Sequence, residues 1–190
     1  MEAAEREGFE ESGYRNRVLA VVMGHRQTFA DREEGDNGAV DIKGRQGRRK
    51  DVFVTEPVWM QLLPVSRRSQ YLLFWYIAET VPEEVEKSYP LPGTPGYSRI
   101  YRPPEPIPRD MTIKERIAQD TGLDGKVYEP IRHEGTGINE EEALYESCLI
   151  PVEEARRKLK GSVMEDVVRR GWEGILRRRE MEEEMEKEAG

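Results

Sequence analysis

The spacing of apolar residues predicts a succession of short helices and strands. Residues 2–12 are rich in strong helix formers and precede Gly13, so they predict a helix closed by a left-handed glycine. The compact apolar run at 18–23 predicts a buried strand. Alternating apolar residues over 52–62 and an aromatic, β-branched run over 71–80 predict two further strands, which we expect to form an antiparallel pair.

The second half of the chain predicts mostly helices. Residues 112–121 fit a short helix, and the apolar run at 143–150 predicts a last strand. A helix over 152–160 is then followed by a second helix, with Ser162 as its N-cap and Glu165 completing a capping box. The apolar residues that recur at helical spacing in this second helix, and so predict its buried face, are Val163, Val167, Val168, Trp172, Ile175 and Leu176.

Polar and proline-rich stretches interrupt these elements. We expect one domain over residues 1–178, with flexible insertions at about 24–50 and 82–110, followed by a charged helical tail at 179–190. The first insertion ends in a basic run at 43–50, which is interpreted as a solvated loop, with contact to an anion as the alternative.

Composition narrows the class of protein. The chain has 190 residues and a net charge of −8, and charged and hydrophobic residues each make up 36%, so we expect a modest core. The acidic balance disfavours nucleic-acid binding, which needs a basic face. Because the sequence has neither a membrane-length apolar run nor a secretory signal at its acidic start, we expect no membrane contact and a cytoplasmic location. The single cysteine, Cys148, is expected to be a packed thiol, and no internal disulfide is possible.

Three glutamates near the N-terminus form the candidate chemical site. Glu7, Glu10 and Glu11 stand at positions i, i+3 and i+4 of the predicted helix, so their carboxylates share one face and repel one another. A hard divalent cation would remove that repulsion, since such ions prefer oxygen ligands. The spacing therefore points to a magnesium or manganese site, with a solvated acidic helix face as the alternative.

The order of residues around these glutamates resembles the second half of the Nudix box. The family pattern runs to Arg-Glu, then to Glu-Glu, then to Gly. The matching positions in this chain are Arg6, Glu7, Glu10, Glu11 and Gly13. The lead-in at residues 2–4, the run at 71–80 and the segment at 149–155 also look similar to parts of Nudix domains, although only the box fragment is specific.

The resemblance implies a fold and an activity. It implies an α/β/α sandwich with a mixed sheet, and a hydrolase of nucleoside diphosphates linked to another group or of similar small-molecule pyrophosphates, with Mg²⁺ or Mn²⁺ as cofactor. Carried over to this chain, Glu10 and Glu11 would be metal ligands, and Glu7 would be a ligand or the catalytic base. Arg6 would hold the helix and a loop together by ion pairing, and Gly13 would close the helix.

The chain also departs from the family pattern. The opening glycines and the first glutamate of the box have no counterpart before Arg6, so we expect an incomplete sandwich and little or no turnover from the chain as it stands. Gly8 and Tyr14 occupy positions where the family prefers a bulky aliphatic residue. The alternative function is a non-catalytic nucleotide- or protein-binding module on a Nudix-like scaffold, with the C-terminal helix as a protein contact.

Other polar and aromatic residues are also considered as candidates for the site. Nudix domains often recruit a further glutamate from a late loop, and the candidates here are Glu134, Glu140, Glu141, Glu142 and Glu146. Both histidines are interpreted as loop residues rather than bases. The three tryptophans are interpreted as core residues, with base stacking by the hairpin at 59–75 as the alternative.

Overall fold

A computed structural model describes residues 2–22, 53–88, 104, 107–109, 111–121, 129–137 and 139–189. These ranges contain both helices and strands, so the chain is a mixed α/β protein. In chain order the elements are α1 Glu2–Ser12, β1 Asn16–Val18, β2 Val21–Val22, β3 Phe53–Val54, β4 Trp59–Pro64, β5 Gln70–Trp75, β6 Ala78–Thr80, α2 Glu83–Ser88, α3 Ile113–Thr121, a 3₁₀ turn Glu142–Leu144, α4 Val152–Lys158 and α5 Val163–Ala189.

The two predicted insertions are only partly covered by the described residues. The insertion predicted at 24–50 lies outside the described residues. Within the stretch predicted as an insertion at 82–110, residues 83–88 form α2 instead, and Glu86 of this helix is buried. Among the described helices, none is both long and apolar enough to span a bilayer.

The strands form three antiparallel pairs, β1–β6, β2–β3 and β4–β5. The β4–β5 hairpin confirms the predicted antiparallel pairing of the two runs, but the run predicted as one strand over 52–62 contains β3 and most of β4, and β3 pairs with β2. The run predicted as one strand over 71–80 is two strands, because the chain changes partner within it: Trp75 O accepts a hydrogen bond from Val58 N at 2.7 Å, whereas Ile77 O accepts one from Leu19 N at 2.8 Å. The complete α/β/α sandwich stays a prediction.

The last predicted strand, at 143–150, is wrong. Only the 3₁₀ turn Glu142–Leu144 is regular here, and the residues that follow pair with no described strand. Three of the apolar side chains that suggested a buried strand, Leu144, Tyr145 and Leu149, are exposed, with Leu149 at 57% exposure. The segment is anchored instead by a side chain, since the Ser147 hydroxyl donates to the Ser12 carbonyl at the end of α1.

The capping boxes of the helices differ from the one predicted from the sequence. The predicted capping box at Ser162 is absent, because its hydroxyl donates to Leu159 O at 2.6 Å in the preceding turn. A reciprocal capping box does begin α3: Glu115 N donates to the Thr112 hydroxyl at 3.1 Å, and Thr112 N donates to the Glu115 carboxylate at 2.7 Å.

Helix α5 packs against β2 with a face that differs from the predicted one. Its buried positions are Val167, Gly171, Gly174, Arg178 and Glu182. The two glycines allow close approach, since a β-carbon at Gly171 would collide with the Ile77 side chain and one at Gly174 would touch Val21 at 3.4 Å. The helix therefore buries charged residues at the start of the predicted solvated tail, which an apolar pattern could not indicate.

The apolar core lies on both sides of the strand region 19–22. Alternate residues point to opposite faces of a strand, so this stretch contributes to two clusters. One cluster contains Leu19, Val21 and Val58, with Trp59, Trp75, Ile77 and Ile175 packed against it. The other contains Ala20, Val22 and Phe53, with Met181 packed against it. The core interpretation is thus confirmed for Trp59 and Trp75.

Buried ion pairs accompany this modest core. Arg17 on β1 is 5% exposed and pairs with Asp120 of α3 and with Glu79 of β6. Arg116 is 2% exposed and donates to the same Glu79 carboxylate at 2.6 Å. Each buried guanidinium has a carboxylate partner, which offsets the cost of removing its charge from water.

Candidate metal centre

Helix α1 ends where the sequence predicts. Gly13 has φ of 74°, and its amide donates to Phe9 O at 2.8 Å, which is the expected left-handed closure. A β-carbon at Gly13 would collide with the carbonyl oxygen of His133, so the position also needs a glycine for space. Gly8 has a comparable role, because a β-carbon there would lie 2.9 Å from Nδ2 of Asn16 on β1.

Residues from a late segment satisfy the last carbonyls of α1. The Thr136 hydroxyl donates to Glu10 O at 2.9 Å, and His133 N donates to Gly13 O at 2.8 Å. Such carbonyls have no partner within the helix and need one from elsewhere. These bonds hold the late segment, with its candidate glutamates, beside the acidic end of α1.

Glu10 is the most constrained of the three predicted ligands. Its side chain is buried, with the residue 8% exposed, and Oε2 has no hydrogen-bond partner. Burial raises the pKa of its carboxyl above the ordinary value of 4.5; the Arg6 charge lowers it, and the charges of Glu7 and Glu142 raise it further. A buried carboxylate oxygen without a partner is costly unless a cation or a proton neutralises it.

Glu11 is exposed, yet it experiences the same negative surroundings. Partial removal from water raises the pKa of its carboxyl, and the charges of Glu7, Glu142 and Glu10 raise it further. Glu10 and Glu11 also stand in the last turn of α1, which contains no basic residue. Because the C-terminal end of a helix carries partial negative charge, a cation at this position would be favourable.

Glu7 and Arg6 lie on the solvent side of α1. They form an ion pair with each other at 2.8 Å, and their side chains are 54% and 49% exposed. The resemblance implies that Arg6 joins the helix to a loop, but the ion pair that the structure gives it is with its neighbour in sequence.

Two cavities meet at this end of α1. The smaller, of about 370 Å³, is lined by carboxylates from two parts of the chain: Glu10, Glu11, Glu134, Glu142 and Glu146. The larger, of about 820 Å³, is lined by Glu7 and by aromatic side chains, among them Trp75, Tyr76 and Tyr145. Glu11 and Glu146 line both cavities, so the two cavities adjoin each other at these residues.

The geometry narrows the choice of a late glutamate. Glu142 acts electrostatically on both Glu10 and Glu11, and Glu134 and Glu146 line the smaller cavity. Glu142 is held in place by Asn139, whose Oδ1 accepts a hydrogen bond from the Glu142 amide at 2.9 Å. We therefore favour Glu142 among the late candidates.

A buried network of hydrogen bonds lies beneath the site, and the sequence alone does not predict it. Glu86 of α2 accepts a hydrogen bond from Arg15 Nε at 2.5 Å, and its Oε1 lies 2.6 Å from His133 Nε2. Phe9 packs against both partners, with its ring 5.6 Å from the His133 ring and 4.9 Å from the Arg15 guanidinium. No local signal marks these residues, since Arg15 and Glu86 are 71 positions apart and meet only in the fold.

The exposure of Cys148 corrects another prediction. This residue was expected to be a packed thiol, but it is exposed and lines the larger cavity. The apolar run around it does not form a buried strand, which removes the reason to expect a packed position.

The carboxylate oxygens at the end of α1 are chemically suited to a hard divalent cation, but they are not already arranged around a single point. Within the described ranges, no three His, Cys, Asp or Glu side chains are grouped so as to hold a metal ion. The oxygen donors of Glu10, Glu11 and Glu142 are nevertheless of the kind that Mg²⁺ and Mn²⁺ prefer. The unpartnered Oε2 of Glu10 is the atom that most needs such a partner.

Comparison with known proteins gives no match from which a function could be assigned. No protein-family model matches the chain, and no curated protein and no solved structure matches it either.

Because the pKa values of Glu10 and Glu11 are raised, we expect their contribution to the stability of the fold to fall as the pH rises. Because the folded chain holds the Glu10 and Glu11 protons more tightly than the unfolded chain, both carboxyls favour folding at acid pH. They cost stability as the pH rises from 4.5 through their raised pKa values. At pH 7 the variant E10Q/E11Q is expected to be more stable than wild type by about 0.5–1 kcal/mol, the size of a few like-charge repulsions.

Thermal unfolding between pH 4 and pH 8 measures this difference. It should shrink as the pH falls towards 4.5, while E180Q/E184Q, which removes two exposed charges from α5, should show no such trend. A difference that is constant with pH would contradict the proposed charge repulsion.

Proposed function

We propose that this chain is a Nudix-type hydrolase domain, which acts with Mg²⁺ or Mn²⁺ on nucleoside diphosphates linked to another group or on similar organic pyrophosphates. The observation that carries the proposal is the buried Glu10 carboxylate, whose Oε2 lacks a partner at the acidic end of α1. The match of residues 6–13 to the second half of the Nudix box supports the same assignment.

The glutamates of the site have different roles in this proposal. Glu10 and Glu11 would hold the cation, and Glu142 of the late segment lines the same cavity. A divalent ion held by these residues would supply positive charge for the pyrophosphate oxygens and would make a water molecule more acidic. Glu7 lines the larger cavity together with Glu11 and serves as a further ligand or as the base that orients water.

The neighbouring residues suit the two parts of a substrate. Arg132 lines the smaller cavity and supplies a basic group for a pyrophosphate next to the carboxylates. Arg132 is positioned by a hydrogen bond from Nε to the Ser147 hydroxyl at 3.2 Å. Tyr76 and Tyr145 of the larger cavity suit the remaining part of a nucleotide, which stacks on such rings.

A second candidate function is a binding module that does not cleave its ligand. It is favoured by one observation: the described carboxylates do not form a ready group of three around one point. On this alternative the same two cavities bind a nucleotide, and the cation is not part of the site.

A hydrolysis panel distinguishes the two candidates. The full chain is incubated with nucleoside diphosphates linked to sugars or to a second nucleoside, and products are measured as phosphate after phosphatase treatment. Slow release that requires Mg²⁺ or Mn²⁺ and stops with chelator is expected. Saturable nucleotide binding without release would favour the binding module, and neither binding nor release would contradict both functions.

A further inference from the structure

The late segment is held tightly at its start and loosely further along. Thr136 is buried, and its hydroxyl donates to Glu10 O in the last turn of α1 at 2.9 Å. By contrast, none of the described side chains at 139–150 is buried. Segments with few buried contacts open at a low cost in free energy. The stretch after Thr136 can therefore move while the start of the segment stays fixed to α1.

Residues 142–149, which we call the strap, carry large apolar side chains in contact with water. Leu144, Tyr145 and Leu149 are 80%, 46% and 57% exposed. Tyr145 and Leu149 also line the larger cavity, together with Phe74 of β5, which is itself 46% exposed. Apolar side chains gathered at a concave surface are typical of a contact site. The strap therefore has an apolar side that is placed to cover this cavity.

Like charges oppose a closer approach of the strap to α1. Glu142 and Glu146 line the smaller cavity together with Glu10 and Glu11. Burial raises the pKa of both Glu10 and Glu11, and the charge of Glu142 raises it further. In the described part of the chain these carboxylates are not grouped closely enough to hold a metal ion. A divalent cation would replace their repulsion by attraction, since it prefers several oxygen ligands.

The structure also shows which contact Glu142 gives up when it moves. Its carboxylate accepts a hydrogen bond from the Asn139 side-chain amide, and its backbone amide donates to Asn139 Oδ1 at 2.9 Å. The asparagine amide is a neutral donor at an exposed position. A cation at Glu10 and Glu11 is a stronger partner for a carboxylate than a neutral amide is.

We propose that the strap closes over the larger cavity when a divalent cation binds at the end of α1. This inference rests on the proposed cation site, to which it adds a movable third carboxylate. The ion draws Glu142 towards Glu10 and Glu11, and the apolar side of the strap moves with it. Ser147, whose hydroxyl donates to Ser12 O, keeps the strap attached to α1 in both states. Closure completes a ligand set that the open arrangement lacks.

Hydrogen exchange of the full chain, measured by mass spectrometry with Mn²⁺ or with chelator, tests the proposal. When Mn²⁺ saturates the chain, exchange of the strap amides should slow by about fivefold or more, the low end of typical couplings between two sites. Exchange in α4, the helix that follows the strap, should stay unchanged.

E142Q and E141Q form a matched pair of variants. Glu141 is the exposed neighbour of Glu142 at the start of the same 3₁₀ turn. E142Q should lose most of the protection of the strap. Because coupling between two events is reciprocal, it should also bind Mn²⁺ more weakly by a similar factor. E141Q should behave as wild type in both measurements.

Mn²⁺ binding by the same samples, followed by electron paramagnetic resonance, separates this inference from the proposed function. Binding without slower exchange in the strap, or equal protection of the strap in wild type and E142Q, would overturn the closure and leave the cation site in place. Equal slowing in the strap and in α4 would indicate general stabilisation and overturn the closure as well. Absence of Mn²⁺ binding by wild type would overturn both proposals.

Discussion

Replacing Arg178 by methionine is expected to destabilise the fold by about 3–5 kcal/mol, the usual effect of removing one partner of a buried ion pair. Arg178 is fully buried in α5, and its guanidinium donates to Glu182 at 2.6 Å and to the carbonyls of Met111 and Ala20. It also lies 4.5 Å from the ring centroid of Phe53. Methionine preserves much of the volume but removes the donor to two carbonyls and leaves the Glu182 carboxylate with the Ile113 amide and no counter-charge from Arg178.

Urea unfolding of R178M measures this effect against R177M. Arg177 is the next residue and is exposed, so its replacement should change the free energy of unfolding by less than about 0.5 kcal/mol. The double variant R178M/E182L should recover part of the loss, because it also removes the buried carboxylate that has lost the Arg178 charge. Equal stability of R178M and R177M would show that Arg178 does not hold α5 on the strands.

The largest effect on activity is expected from E10Q/E11Q. This variant removes the negative charge of both proposed ligands and keeps the size of both side chains. Metal-dependent hydrolysis should fall by roughly 100-fold or more, because loss of supporting residues around a metal alone costs 10–100-fold. The rate is measured with the best substrate of the hydrolysis panel, at saturating Mg²⁺ and at saturating Mn²⁺.

The control for this variant is E180Q/E184Q, which changes the net charge equally at exposed positions of α5. Its rate should match that of wild type. Full activity of E10Q/E11Q would remove Glu10 and Glu11 from the metal site, and equal loss in both variants would attribute the effect to overall charge.

Local signals in the sequence predict the elements that depend on neighbouring residues. The end of α1 at Gly13 is an example, since a left-handed glycine closes a helix through bonds within one turn. The β4–β5 hairpin is another, because its alternation and its turn lie in one short stretch. Glu7, Glu10 and Glu11 lie on one helix as predicted, but Glu7 lines the larger cavity and Glu10 the smaller one.

What the sequence could not predict depends on distant contacts. Arg178 looks like part of a solvated charged run, and only the carbonyls of Ala20 and Met111 make it a buried residue. The run at 143–150 has the composition of a strand, but no described strand pairs with it. Likewise Glu142 could be chosen among five late glutamates only once the fold placed it near Glu10.

Titration of the full chain with Mn²⁺, followed by the electron paramagnetic resonance of the free ion, tests the central claim most directly. The account predicts saturable binding by wild type and by E180Q/E184Q, and binding at least about tenfold weaker by E10Q/E11Q. Equal affinity of wild type and E10Q/E11Q, or no binding by wild type, would contradict the assignment of a divalent cation to the end of α1.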